Sequence, residues 1–150
     1  MTSSPSTAAG GGPLRVQRDD RGVVTPTDND PARFNALGHE MLAALQQALD
    51  EVARDEGARV VVLAAAGKAF CAGHNLKDMA QHPDLAWYQD LFARCSRVML
   101  AIHRLPVPVI ARVQGLATAA GCQLVAQCDL AVASEAASFA TSGIHYGLIC

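Results

Sequence analysis

Two glycine-bearing turns carry the chemistry of this chain: Phe70-Cys71-Ala72-Gly73-His74-Asn75-Leu76-Lys77 and Gly115-Leu116-Ala117-Thr118-Ala119-Ala120-Gly121-Cys122-Gln123. Each follows an apolar, β-branched run, so each can present a backbone N–H at the mouth of a sheet. Two such donors converging on one point form an oxyanion hole, which stabilises negative charge on a thioester or acyl oxygen. No carboxylate follows Gly121 within the next turn. The pattern therefore offers a polarising site without the usual proton-transfer group beside it.

Other chemistries find less support. The five histidines, His39, His74, His82, His103 and His145, form no HxxxH or HExxH pattern, and no metal site is expected. Cys71, Cys95, Cys122, Cys128 and Cys150 are odd in number and contain no CxxC pair. Several lie in apolar runs, as buried thiols in a reducing compartment do. Cys122 falls at a helix start, where a thiol pKa can drop, but its expected role is packing. A formal net charge of −2 and few aromatics point away from nucleic acid and from a charged membrane surface. No apolar run reaches the roughly 20 residues that span a bilayer.

The elements that must position the two turns follow from periodicity. Met41, Leu42, Leu45, Leu49 and Val52 recur at three- and four-residue steps, predicting a helix from about Leu37 to Arg54. Leu91, Cys95, Val98 and Ile102, with Phe92 and Met99 beside them, predict a second from Leu85 to Arg104, ended by Pro106 and Pro108. Val60–Ala65 is a continuous apolar run of the kind that forms a strand covered on both faces, and Asp129–Ala133 is expected as another buried strand. Val109–Val113 and Ser138–Thr141 are further strands, and a short helix is expected from about Ala120 to Gln127. Gly22–Thr27 holds Pro26, which cannot donate to a ladder, so it is expected at best as an edge strand. This alternation predicts an α/β domain with largely parallel strands.

Residues 1–21 are expected to be a disordered tail and residues 22–150 the domain, because Met1–Pro13 is rich in Ser, Thr, Ala and Gly. Arg15, Arg18 and Arg21 have a transit-peptide flavour, a weak pointer to mitochondria. Asp19 and Asp20 among them oppose it, leaving a cytoplasmic protein as the expectation.

Taken together, Asn35-Ala36-Leu37, Val60–Leu63, Lys68–Lys77, Pro106–Ala111, Gly115–Gly121 and Cys128–Ser134 resemble the crotonase superfamily, the enoyl-CoA hydratase/isomerase family. The resemblance covers about Gly22 to Cys150 in the family's order and spacing. It implies a crotonase-like spiral of repeated β-β-α units, here the N-terminal portion of the full domain, whose missing C-terminal helices complete the acyl pocket. It implies an acyl-CoA substrate in fatty-acid or related metabolism, no separate cofactor, and a homotrimer or hexamer at full length. By motif, the oxyanion-hole amides belong to His74 and Ala120. CoA would lie along Ala72, His74 and Leu76, with Lys77 near a phosphate.

Departures from the family pattern decide the expected reaction. The two glutamates of a typical hydratase fall at Gln123 and Gly143. An amide orients water but exchanges no proton near neutral pH. Acid–base groups are worth roughly 10²–10⁴-fold each, so ordinary hydration is not expected. His145, two residues beyond Gly143, would share its face on a strand and is a candidate acid or base; Tyr146 is a weaker one. Asp28 stands where the family usually has an apolar strand residue. Three readings stay open: an acyl-CoA enzyme using unusual proton carriers, a non-catalytic acyl-CoA-binding or regulatory homologue, and a truncated inactive chain.

Overall fold

The apolar run at Val60–Ala65 becomes the middle strand of a five-stranded sheet, with Val61, Leu63 and Ala64 buried and Val60, Val62 and Ala65 half-buried. The computed structural model describes residues 11–147. Its elements are β1 (Leu14–Arg18), β2 (Val23–Asp28), α1 (His39–Arg54), β3 (Val60–Ala65), β4 (Ala69–Cys71), α2 (Leu76–Gln81) and α3 (Leu85–Arg104). There follow β5 (Val109–Val113), β6 (Leu116–Thr118), α4 (Ala120–Gln127), β7 (Leu130–Ala133) and β8 (Ser138–Ala140). Single 3-10 turns occupy Pro31–Arg33 and Ser142–Tyr146.

The large sheet runs β1-β2-β3-β5-β7 and the small one β4-β6-β8. All pairings are parallel except β1 with β2. Each turn of the chain adds a strand to the large sheet, then one to the small sheet, then helix. The units β3-β4-α2 and β5-β6-α4 do this in full, and β7-β8 begins a third. This is the β-β-α spiral expected from the resemblance.

The stripes on α1 and α3 drive their burial. Met41, Leu42, Leu45, Leu49 and Val52 of α1, and Leu91, Cys95, Val98, Met99 and Ile102 of α3, all enter one core. Asp84 caps α3, its carboxylate accepting from Trp87 N at 2.9 Å. Among the described residues, no helix is long and apolar enough to cross a membrane.

Three expectations need correction. The expected tail extends too far: its first ten residues lie outside the described residues, as does Cys150, but Leu14–Arg18 forms β1. An Asp19–Gly22 turn explains this, with the Asp19 carboxylate accepting from Arg21 N at 3.0 Å and Val23 N at 2.9 Å. Arg18 of β1 pairs with Asp55 at the end of α1 at 2.6 Å, and Arg21 pairs with Asp19 within the turn at 2.7 Å. Gly22–Thr27 is no edge, since β2 lies between β1 and β3. Pro26 is buried and the β2–β3 register passes over Thr25 and Pro26, so the missing donor is tolerated inside the sheet. The strand at 129–133 is not covered on both faces. β7 pairs only with β5 at the sheet's outer side, leaving Leu130 61% and Val132 64% exposed.

Candidate functional site

The first glycine turn leaves β4 and enters α2, and each of its bends has a local cause. Gly73 takes φ +83°. Asn75 caps α2, its side chain accepting from Lys77 N at 3.0 Å. Residues 34–37 brace the turn from behind. Ala72 N donates to Phe34 O at 3.0 Å and Leu37 N to Gly73 O at 2.8 Å. Fully buried Asn35 anchors this brace: its Oδ1 accepts from Asp30 N, and its Nδ2 donates to Ala66 O and Ala69 O at 2.8 and 2.9 Å.

His74 Nδ1 lies 2.9 Å from Leu37 O. A carbonyl only accepts, so Nδ1 carries the hydrogen and Nε2 the lone pair. Burial pushes the His74 pKa below the usual imidazole range, outweighing the Leu37 bond, so the ring is neutral at pH 7. Its edge meets Phe92 with centroids 5.3 Å apart.

The second turn leaves β6 and opens α4. Ala119 sits at φ 52°, ψ −127°, a conformation that a residue with a Cβ adopts only under constraint. Its N–H is held by Ala140 O at 2.9 Å, and its carbonyl accepts from Cys122 N and Gln123 N at 3.0 and 3.1 Å. Ala120 N is the first amide of α4, where the dipole's positive end lies. Neither Ala120 N nor His74 N donates to an acceptor among the described residues. The turns touch: a Cβ built on Gly73 would stand 3.0 Å from Ala119 Cβ and 3.1 Å from Ala120 N.

Both turns line one cavity of about 730 Å³, within the range that holds a sizeable small molecule. Ala72, His74, Leu76 and Lys77 face it from the first turn, and Ala120 and Gln123 from the second. Gly143 also lines it and is buried. These expected site residues are thus brought together. His145 is not among the lining residues and is exposed. The segment after Thr141 is a 3-10 turn rather than a strand, so i and i+2 do not share a face. Tyr146, three residues past Gly143, lines the cavity instead.

Several lining residues escaped the sequence reading. Phe92, Cys95, Ser96 and Met99 form one face of α3, a signal present in their spacing but read only as core. Burial raises the Cys95 thiol to about 11, which leaves it protonated. Arg33 and Phe34 reach the cavity from the 3-10 turn and its αL cap, which no periodicity announces. Thr118 and Ser142 join hydroxyls at 2.6 Å across the cavity wall. The described lining contains no Asp or Glu. Among the described residues no group of three His, Cys, Asp or Glu side chains is arranged to hold a metal ion.

A two-sheet β-β-α spiral with two glycine turns at one cavity defines a crotonase-like domain. A family model described as enoyl-CoA hydratase/isomerase matches residues 18–150, and the chain belongs to that family. It is 44% identical over 138 residues to the enoyl-CoA hydratase domain-containing protein 3, mitochondrial, of Xenopus laevis, covering 92% of this chain and 47% of that protein. A crystal structure of enoyl-CoA hydratase from Mycobacterium smegmatis superposes with a TM-score of 0.90 at 64% identity, over 92% of this chain and 54% of that one. The human enoyl-CoA hydratase domain-containing protein 3 structure superposes with a TM-score of 0.86 at 42% identity, over 92% of this chain and 54% of that one. The chain spans about half the length of the curated relatives it matches.

Proposed function

We propose that this chain binds acyl-CoA thioesters between its two glycine turns and polarises the thioester carbonyl with the His74 and Ala120 N–H groups. One observation carries the reading. His74 and Ala120 both line the same cavity, in turns that touch, and neither N–H has an acceptor among the described residues. An N–H without a protein acceptor is free to donate, and a ligand oxygen in the cavity is a natural partner. The α4 dipole adds to the field at that oxygen. Each such donor is worth about 2.7–4 kcal/mol to a developing oxyanion.

The rest of the cavity suits the same ligand. Exposed Arg33 and Lys77 match CoA phosphates, backbone groups at Ala72, His74 and Leu76 match adenine, and Phe92 and Met99 offer an apolar wall to an acyl chain. Members of the family act on acyl-CoA substrates. A relative named 1,2-epoxyphenylacetyl-CoA isomerase, from Escherichia coli, agrees with that class.

Turnover is a separate matter. With Gln123 and Gly143 at the glutamate positions and no carboxylate in the described lining, water addition lacks both its base and its acid. The site favours binding and carbonyl polarisation over hydration. Neutral His74 Nε2 and the Tyr146 hydroxyl are the proton carriers left for any slower reaction. The family-length protein is proposed to be a homotrimer or hexamer serving acyl-CoA metabolism. Four free thiols, Cys71, Cys95, Cys122 and Cys128, fit a reducing compartment, the cytoplasm or, as in the vertebrate relatives' names, mitochondria.

Calorimetric titration with acetyl-CoA, butyryl-CoA and free CoA tests the binding claim, and a crotonyl-CoA hydration assay tests the chemistry. The expected result is saturable binding that favours thioesters over CoA, with little hydration. Absence of thioester binding by the folded chain overturns the reading.

A further inference from the structure

Two hydroxyls meet on the cavity wall, and their bonding capacity is only partly used. Thr118, the last residue of β6, and Ser142, the first of the 3-10 turn after β8, both line the cavity and are half-buried. Thr118 Oγ1 lies 2.6 Å from Ser142 Oγ, and neither oxygen has another partner among the described residues. One O–H is spent on this bond. The O–H of the accepting partner is left over, together with most of the lone pairs.

The bond is not needed to fasten the wall. The β6–β8 ladder already sets Thr118 beside Ala140, and Ala119 N donates to Ala140 O at 2.9 Å, just ahead of Ser142. A half-buried O–H on a cavity takes its acceptor from whatever fills the cavity. Its place there is informative. Thr118 O lies 3.1 Å from a Cβ built on Gly73, so Thr118 abuts the first glycine turn. Ala120, whose N–H opens α4, follows two residues later, a span of at most about 7 Å between Cα atoms. Gly143, next to Ser142, lines the cavity with no side chain to fill it. Along α3 the same cavity is faced by Phe92 and Met99. One part of the lining is therefore apolar, and the part beside the Ala120 amide carries free hydroxyl capacity.

We infer that the Thr118–Ser142 pair is a specificity determinant that selects acyl thioesters bearing a hydroxyl on the third acyl carbon over saturated ones. This deepens, and rests on, the thioester-binding reading above. A carbonyl held on Ala120 N brings the first acyl carbons within reach of the pair. A ligand hydroxyl both donates and accepts, matching the leftover O–H and lone pairs, whereas a methylene in its place strands them. The described lining holds no Asp or Glu to draw a proton from the neighbouring carbon, so such a ligand is held rather than dehydrated.

Calorimetric titration with butyryl-CoA and with each enantiomer of 3-hydroxybutyryl-CoA tests this in the unmodified chain, Thr118→Val, Ser142→Ala and the double variant. In the unmodified chain the better-bound enantiomer is expected to bind about tenfold tighter than butyryl-CoA, the order of one hydrogen bond left unmade. The preference falls in each single variant and vanishes in the double variant, while butyryl-CoA affinity holds steady. The single variants keep the test decisive should the double variant misfold. Equal binding of hydroxylated and saturated thioesters by the unmodified chain overturns the inference, as does a preference that survives undiminished in the folded variants. Equal weakening of every thioester in the variants also overturns it, since that is the mark of a fastening role. If butyryl-CoA binds and no preference is seen, the functional reading stands and the selectivity alone fails. If no thioester binds to the folded unmodified chain, both fail.

Discussion

Gly73 and Ala120 lie so close that a single added methyl on Gly73 would press within 3.1 Å of the Ala120 nitrogen. The two turns are far apart in sequence, and this contact sets the spacing of the amides that follow Gly73 and open α4. Gly73→Ala combines crowding with a φ of +83°, a strain of about 1–2 kcal/mol for any residue with a Cβ. Calorimetry is expected to show about tenfold weaker acyl-CoA binding, the order of one lost hydrogen bond to the ground-state carbonyl, while circular dichroism still reports a folded chain. Unchanged affinity would mean that the spacing of the turns is not what binds the thioester.

Gly121 and Gly57 offer a paired comparison. A Cβ on Gly121 would overlap the Cys71 carbonyl, its carbon and its Cβ, which belong to β4 and cannot swing aside. A Cβ on Gly57 would overlap the Arg18 guanidinium, the far end of a flexible chain. Thermal unfolding is expected to show Gly121→Ala destabilised by about 3 kcal/mol or failing to fold, as overpacking against backbone does. Gly57→Ala stays within about 1 kcal/mol, the typical worth of a surface ion pair such as Arg18–Asp55.

Asp28 shapes the pH dependence of stability. Its pKa is about 8 in the folded chain against 3.8 for the free side chain. The folded state holds the proton longer, so its contribution is complete below about pH 4. It is lost as pH rises toward 8 and is level above that. Asp28→Val removes a buried group with two unpartnered oxygens and is expected to add about 1–3 kcal/mol near pH 7.5. Urea unfolding at pH 5, 7 and 9 checks this. The unmodified chain loses stability along that series more steeply than the variant.

Much of this architecture was legible because it is periodic. The stripes of α1 and α3 and the start of α4 at Ala120 stand close to their sequence positions, since each helix buries one continuous face. The three-residue strands β4 and β6 are too short to show a period and are held by parallel partners distant in the chain. β1 hides beside a Ser- and Gly-rich stretch, and its pairing is fixed by an Asp19 turn that composition does not reveal. The apolar run of β7 looks the same whether a strand is covered or left at the outer side of a sheet. At the site, motif and order placed Ala72, His74, Ala120 and Gln123 on one cavity. His145 was misplaced because a period of two was assumed where a 3-10 turn forms. Arg33, Phe34 and Thr118 came to light only through the tertiary approach of loops.

Restoring the proton carriers tests the account of the missing chemistry. Gln123→Glu and Gly143→Glu together place carboxyls at two lining positions. Crotonyl-CoA hydration is expected to rise by roughly 10²–10⁴-fold for a well-placed group. A folded, thioester-binding double variant with no gain would show that those positions do not face the reacting carbons.

The most direct measurement follows the amide protons of His74 and Ala120 by NMR while acetyl-CoA, and separately free CoA, is added. Two donors on one carbonyl predict downfield shifts of both protons with the thioester and not with free CoA. Shifts spread over the cavity while these two amides stay unmoved would contradict the account.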